Sequence, residues 1–499
     1  MNPERILLRC DILIVDALSD PIYNAAILIE DGHVESVGDY HAMRRSYPLA
    51  SEHGKRIPLA MPGLVDGHSH GRGISTVEQG IADAPLDIWL TRITAATAFD
   101  PYDEALVSAA ELITTGVTTV QVIFHSFSKA EDYVQGVIAT AKGFKQVGVG
   151  LELVLGISDQ HEFIPPVSTS LHSRVDRLLS SPERGMDPTT FFEMFDALSG
   201  LKSDTSILPT KEVQEILSET RLVLGPIAPQ WSSENLIQGI ADRAAQGVRV
   251  HTHLLECKKQ RSPLYGPLPV QKLDQHELLS NRTSVAHGVW LEPDEIALLA
   301  ARKVSVVHCA GSNTRLEVGL APVREMLDAG VLVAIGLDSN TVHNPPDIFA
   351  EMRHALEVAS ARGSQVSERE VLAMATSGGA AAIGRQDEVG TLRPGSRADL
   401  VILTPTEPLT VYEDPISWIV GEASRNDLHE VWVEGKVLYS NGCLRNSSIV
   451  ATARRHLYEA LLQDAVRRRE RLKELRKLEP WLRGIWEKTS TATTQENRS

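Results

Sequence analysis

Seven residues whose side chains bind metal ions or move protons stand at matched places along this sequence. His68 and His70 lie one residue apart in MPGLVDGHSHGRG (61–73). His251, His253 and Glu256 follow in GVRVHTHLLE (247–256), His287 in TSVAHGVW (283–290) and Asp338 in VLVAIGLDSN (331–340). Along a strand, side chains at i and i+2 share a face, so His68 and His70 can both point at one ion. Neutral imidazole is a good ligand for zinc or another borderline divalent metal. A third imidazole and a carboxylate would complete a site that keeps one position open for water. Each residue alone has a plainer reading, a packed core histidine or a turn-capping aspartate. Their joint occurrence after apolar runs is what points to a site.

The runs themselves supply the positioning elements. Eight short apolar segments recur, most ending in a polar or glycine cluster: 60–70, 116–124, 148–158, 221–230, 247–256, 283–290, 304–313 and 331–340. Most intervals carry helical periodicity, as in SSENLIQGIADRAAQG (232–247), with a serine to open it and Gly247 to close it, and in EPDEIALLAARK (292–303). Buried strands without clean alternation, separated by helices, indicate a parallel sheet, and eight such units suit an α/β fold of the closed (β/α)8 TIM-barrel type. A doubly wound open sheet is the alternative. In a barrel, all seven residues fall at the strands' C-terminal end, where barrel active sites are built.

The flanks differ. Residues 5–59 and 398–439 hold short alternating strands with glycine turns, so residues 1–59 and 386–450 are expected to pair into one small β-sandwich beside a catalytic barrel at 60–385. The stretch 159–210 is too long for an ordinary βα loop and is a candidate lid or specificity element. Residues 451–487 read as an amphipathic helical extension and 488–499 as a disordered tail.

Composition narrows the partners. The chain has 499 residues and a net charge of −16, and its basic residues collect only in RRRERLKELRK (467–477), read as a solvated helix face. Nucleic acid is therefore not an expected partner. The four cysteines form no CxxC pair, which argues against a disulfide framework and a cysteine zinc site. The N-terminus lacks a signal-peptide layout and no apolar stretch approaches bilayer-spanning length, so a cytoplasmic protein without a membrane partner is expected.

The segments PGLVDGHSH, GVTTV, HTHLLE, VAHGVWL, SNTRLEVGLAPV, AIGLDS, FAEMRHAL and VGTLRPGSRADLVIL, in this order, resemble the signatures of the amidohydrolase superfamily. The resemblance is to its mononuclear deaminase and chlorohydrolase branch, which includes guanine deaminase, S-adenosylhomocysteine deaminase and the triazine hydrolases. It implies His68, His70, His253 and Asp338 as ligands, with His251 a neighbour, since the family's HxxE places the ligand three residues before Glu256. The run at 221–230 has no lysine, where dinuclear relatives carry a carbamylated one, so one divalent ion is implied, zinc or alternatively iron. The implied chemistry is hydrolysis of a C–N bond other than a peptide bond by a metal-bound hydroxide. Asp338 would accept the water's proton, His287 would hydrogen-bond the hydroxide or oxyanion, and Glu256 would carry a proton to the leaving nitrogen.

Deamination of a nitrogen heterocycle is the leading expectation. Cleavage of a linear amide, carbamate or urea bond and dechlorination are variants, and a catalytically silent scaffold is the alternative of another class. Arg72, Gln79, Trp89, Gln230, Cys309 and Asn313 are the candidate substrate-binding residues for a small molecule. Arg72 could instead form a structural ion pair and Trp89 could be core. Three departures from the family pattern, Gln230 after Pro229, Cys309 with Ala310 in HCAGSN, and SNTVHNPPD beyond Asp338, stand where substrate is expected. Cys309 has no dedicated base and reads as packing. A homo-oligomer is the family expectation, with the helical extension as its contact.

Overall fold

The computed structural model describes residues 5–53, 57–126, 130–160, 186–201, 211–262, 267–338, 346–406, 409, 412 and 414–484. Most of the 159–210 insertion, the SNTVHNP stretch at 339–345 and the tail at 488–499 lie outside them.

Each of the eight apolar runs contains one strand of a single parallel sheet. In chain order these are β6 (Leu64–Ser69), β7 (Val117–His125), β8 (Gly150–Ile157), β9 (Arg221–Pro226), β10 (Val250–Leu254), β11 (Thr283–His287), β12 (Ser305–His308) and β13 (Leu332–Ile335). Neighbours in sequence are neighbours in space. Every residue of β6, β10, β11 and β12 is buried, as expected of strands covered on both faces. The sheet closes into a barrel where β13 returns to β6. There the backbone N–H of Asp338 donates to the His68 carbonyl at 2.8 Å and that of His70 to the Asp338 carbonyl at 2.9 Å. Asp66, fully buried, reinforces the seam: its Oδ1 accepts the N–H groups of His68 (3.2 Å) and Leu337 (3.0 Å).

The helices begin and end for local reasons. Ser233 accepts the Leu236 N–H and opens the helix Glu234–Ala244, after which Gly247 takes a left-handed φ of +101°. Helix Pro293–Arg302 starts with a reciprocal capping box between Glu292 and Glu295. Close packing beside the first histidine needs a small residue, since a Cβ on Gly336 would meet Val307 at 2.7 Å and the His68 Cβ at 3.0 Å.

The chain's ends build a second, mixed sheet of nine strands. Its path runs β17 (Cys443–Leu444), β16 (Lys436–Ser440), β15 (Leu428–Val433), β14 (Leu400–Leu403), β5 (Ile57–Pro62), β1 (Arg5–Leu13), β2 (Ile22–Glu30) and β3 (His33–Asp39), with β4 (Ser51–Glu52) beside β1. The antiparallel pairing of β14 with β5 joins the two terminal segments into one continuous sheet. β5 continues to Pro62, so residues 60–62 belong to this sheet rather than to the barrel. Two helices, Ser447–Gln463 and Ala465–Arg476, then lie along the barrel. The basic run within the second is not uniformly solvated, because Arg468 is only 7% exposed and turned into the protein.

Candidate active site

The β6 alternation aims His68 inward, and His70 follows just beyond the strand end. With His253 of β10 they offer ring nitrogens that all lie within 4.8 Å of one another, the only such group of three among the described residues. Asp338 completes the cluster, its Oδ1 lying 3.3 Å from His70 Nε2 and 3.6 Å from His68 Nε2. Its Oδ2 accepts a short hydrogen bond from Ser312 Oγ, which fixes the carboxylate plane.

Two of the three histidines, His68 and His253, have their other nitrogen committed. His68 Nδ1 bonds His251 Nε2 at 2.8 Å, and His251 Nδ1 in turn bonds Ser284 Oγ at 2.8 Å. His253 Nδ1 donates to the Ile227 carbonyl at 2.7 Å. His251 and His253 share the inner face of β10, yet His251 lies behind His68 as its support. His68 Nε2 is buried without a hydrogen-bond partner, as is His287 Nε2. A buried, unpaired imidazole nitrogen is costly unless something occupies its lone pair, so the donor set fits a divalent cation.

Electrostatics keep these donors available. Burial lowers His68 to about 4 and drives His251 and His253 well below the ordinary imidazole value, leaving neutral rings at pH 7. Burial opposes ionisation of Asp338, but the His68 and His70 rings beside its carboxylate prevail and hold it well below the usual carboxylate range. Glu256 is the opposite case: burial pushes its carboxyl up to about 7, against the pull of His287. Glu256 Oε1 faces His287 Nε2 at 3.9 Å, and His287 Nδ1 is oriented by Asn313 Oδ1 at 2.9 Å. His287 and Asp338 both adopt left-handed backbones, with φ of 73° and 58°, a strained conformation for such residues that the surrounding fold must impose.

These groups open into one cavity of about 540 Å³. Leu86, Trp89, Leu90, Ile93, Phe99 and Trp231 give it apolar and aromatic walls, and Arg72, Glu104 and His125 form a polar region. Of the six substrate-binding candidates, Arg72 and Trp89 line it. The other four do not. Gln79 is buried and accepts the Thr97 N–H at 2.9 Å; Asn313 holds His287 from behind. Cys309 is fully buried, its thiol held well above the ordinary range by burial, so it packs and presents no thiolate. Gln230 is buried in the short turn Pro229–Trp231, from which Trp231 reaches the cavity instead. Beside Arg72, burial raises the Glu104 carboxyl while the arginine's charge pulls it down.

His125, Glu104 and Trp231 were not foreseen. His125 ends β7 at the same rim as the candidate ligands and directly follows an apolar run, a signal that the sequence carries. Burial lowers it to about 3.

The sequence profile of the Amidohydrolase family matches residues 59–438, which span the barrel and its candidate ligands. The chain belongs to the amidohydrolase family. Among its amidohydrolase relatives, the 5-methylthioadenosine/S-adenosylhomocysteine deaminase of Pyrococcus furiosus is 30% identical over 84% of this chain and 92% of its own length. The 5'-deoxyadenosine deaminase of Methanothermobacter thermautotrophicus is likewise 30% identical, over 84% of this chain and 90% of its own. In fold, the chain is similar to an adenosine deaminase from Xanthomonas campestris with bound zinc, with a TM-score of 0.74 and 24% identity, covering 91% of this chain and 98% of that one.

Proposed function

We propose that this amidohydrolase hydrolyses the bond between a nitrogen heterocycle and its exocyclic amine, releasing ammonia. The observation that carries the proposal is the convergence of His68, His70, His253 and Asp338 with the pair Glu256 and His287 on one apolar-walled cavity. The described relatives, deaminases of adenosine derivatives, favour an amino-purine type of ring over a linear amide.

His68, His70, His253 and Asp338 would hold a single ion, and we assign it as zinc, which suits three imidazoles and a carboxylate. The zinc-bearing Xanthomonas deaminase agrees with this choice. When bound, such an ion supplies Lewis acidity that brings the pKa of water down to about 7. Asp338 is ionised, and its Oδ1 is the atom that takes the proton of the attacking water. His287, with Nδ1–H given to Asn313, presents Nε2 to that water and orients it. Glu256, poised near neutrality by burial, holds a proton on its carboxyl and delivers it to the departing amine. Trp89 and Trp231 offer flat faces to a ring and exclude solvent from it. These roles belong with a domain division in which residues 63–385 are catalytic and residues 1–62 with 386–450 form the outer unit.

The test is metal analysis of the purified protein followed by ammonia release from 5′-methylthioadenosine, 5′-deoxyadenosine, adenosine and guanine. Zinc near one per chain and release from at least one substrate are expected. Failure on every ring, with release from a linear amide panel, would replace the heterocycle reading.

A further inference from the structure

One side of the cavity is carried by a single segment, the helix Leu86–Ile93 and the irregular chain up to Phe99, including Trp89, Leu90, Ile93, Thr97 and Phe99. The C-terminal helices hold this segment from behind. Arg468 sends its guanidinium into the protein, where it donates to the Gln79 carbonyl (2.8 Å), Thr97 Oγ1 (2.7 Å) and the Leu461 carbonyl (3.0 Å). Thr97 Oγ1 in turn donates to Asp464 Oδ2 at 2.9 Å, and Thr97 N–H donates to Gln79 Oε1. Arg471 donates to the Ala95 carbonyl at 2.9 Å and pairs with Asp464. Farther along, Arg92 makes a two-pronged ion pair with Glu479 at 2.8 and 2.9 Å.

We infer that the C-terminal helical extension is a latch that sets the shape of the substrate cavity, with Arg468 as its positioning residue. A planar guanidinium has fixed donor directions, so three acceptors from three separate stretches of chain are held in one geometry. Strand register does not secure residues 94–99, which lie in neither helix nor strand. Thr97 is the hinge point of this control, because its hydroxyl takes a bond from the latch and the residue itself lines the cavity. The inference rests on the cavity being the substrate site. It assigns the extension a role toward substrate within its own chain.

Arg468 touches neither ligand nor proton-handling residue, so its loss should alter substrate fit and leave the metal centre intact. In the full-length, zinc-loaded enzyme, Arg468→Met is expected to raise KM for 5′-methylthioadenosine about tenfold with kcat within about twofold and zinc content unchanged. Amide hydrogen exchange over residues 86–99 should become at least about tenfold faster, with that over 250–254 unaltered. Arg468→Lys, which keeps the charge but not the fork, should fall between. Glu479→Gln tests the same latch at its far end, should Arg468→Met not fold, and should give a smaller change of the same sign. Unchanged exchange over 86–99, or a loss of kcat in step with zinc content, would overturn the latch. If the wild-type enzyme does not act on methylthioadenosine, the substrate assignment fails and the exchange measurement alone decides the latch.

Discussion

Asp338 and His68 are joined twice. The Asp338 N–H donates to the His68 carbonyl at 2.8 Å, and the Asp338 carboxylate Oδ1 stands 3.6 Å from His68 Nε2. The first contact closes the barrel; the second draws two candidate ligands together. The spacing between the candidate ligand on β6 and the one after β13 is thus set by the seam of the sheet.

Asp338→Asn should separate these roles. Asparagine tolerates the left-handed backbone and keeps the main-chain bond, but it removes the charge. Zinc retention after dialysis against a chelator should fall at least about tenfold, with the melting temperature nearly unchanged. A large loss of thermal stability without loss of zinc would contradict this division.

His251 should matter without touching the ion. Replacing it with alanine leaves His68 Nδ1 without its 2.8 Å partner, freeing the ring to rotate. Loss of such a supporting group is expected to cost about 10- to 100-fold in metal affinity or activity. Competition with a fluorescent zinc chelator would measure it, and wild-type affinity would remove His251 from the site.

Glu256→Gln should keep zinc and lose about 10²- to 10⁴-fold in kcat. The wild-type rate should also show an ionisation near 7, because burial raises the Glu256 carboxyl to about that value. The protonated form is the competent one, so activity should decline as pH rises through it. A profile in the Gln variant that still falls over the same range would assign that ionisation elsewhere.

Glu152 offers a stability test away from the cavity. It is fully buried near the start of β8, with Arg221 and Arg385 each 3.8 Å away. Burial nonetheless raises it from the ordinary 4.5 to about 7. The stability it contributes is therefore complete below its unfolded value and is lost as pH rises through the folded one. Scanning calorimetry from about pH 4.5 to 8 should show a decline in the wild-type melting temperature that is flattened in Glu152→Gln. Parallel curves for the two proteins would mean that Glu152 does not titrate in this window.

The barrel, and the gathering of His68, His70, His253 and Asp338 at one end of it, were legible because the strands that carry them are short, periodic runs. Alternation puts His68 inside the sheet, and eight buried runs leave few topologies. What followed the strands was harder to read. Gln230 and Trp231 are adjacent, yet only Trp231 reaches the cavity, because a single turn of tight helix decides which side chain faces inward. Asn313 was placed near the chemistry, but it acts through His287, and Cys309 lies behind the ligands. Arg468 was hidden in a run of basic residues. Its burial depends on a surface almost 400 residues earlier in the chain, and no local pattern reports that.

The left-handed backbones at His287 and Asp338 also bear on how this centre could be redesigned. Asparagine, aspartate and histidine enter such a conformation more readily than other side chains with a Cβ, so most replacements at these two places add a backbone cost to any change of ligand chemistry. His70 and His253 have ordinary backbones, so exchange of the inorganic partner is easier at one edge of the centre than at the other.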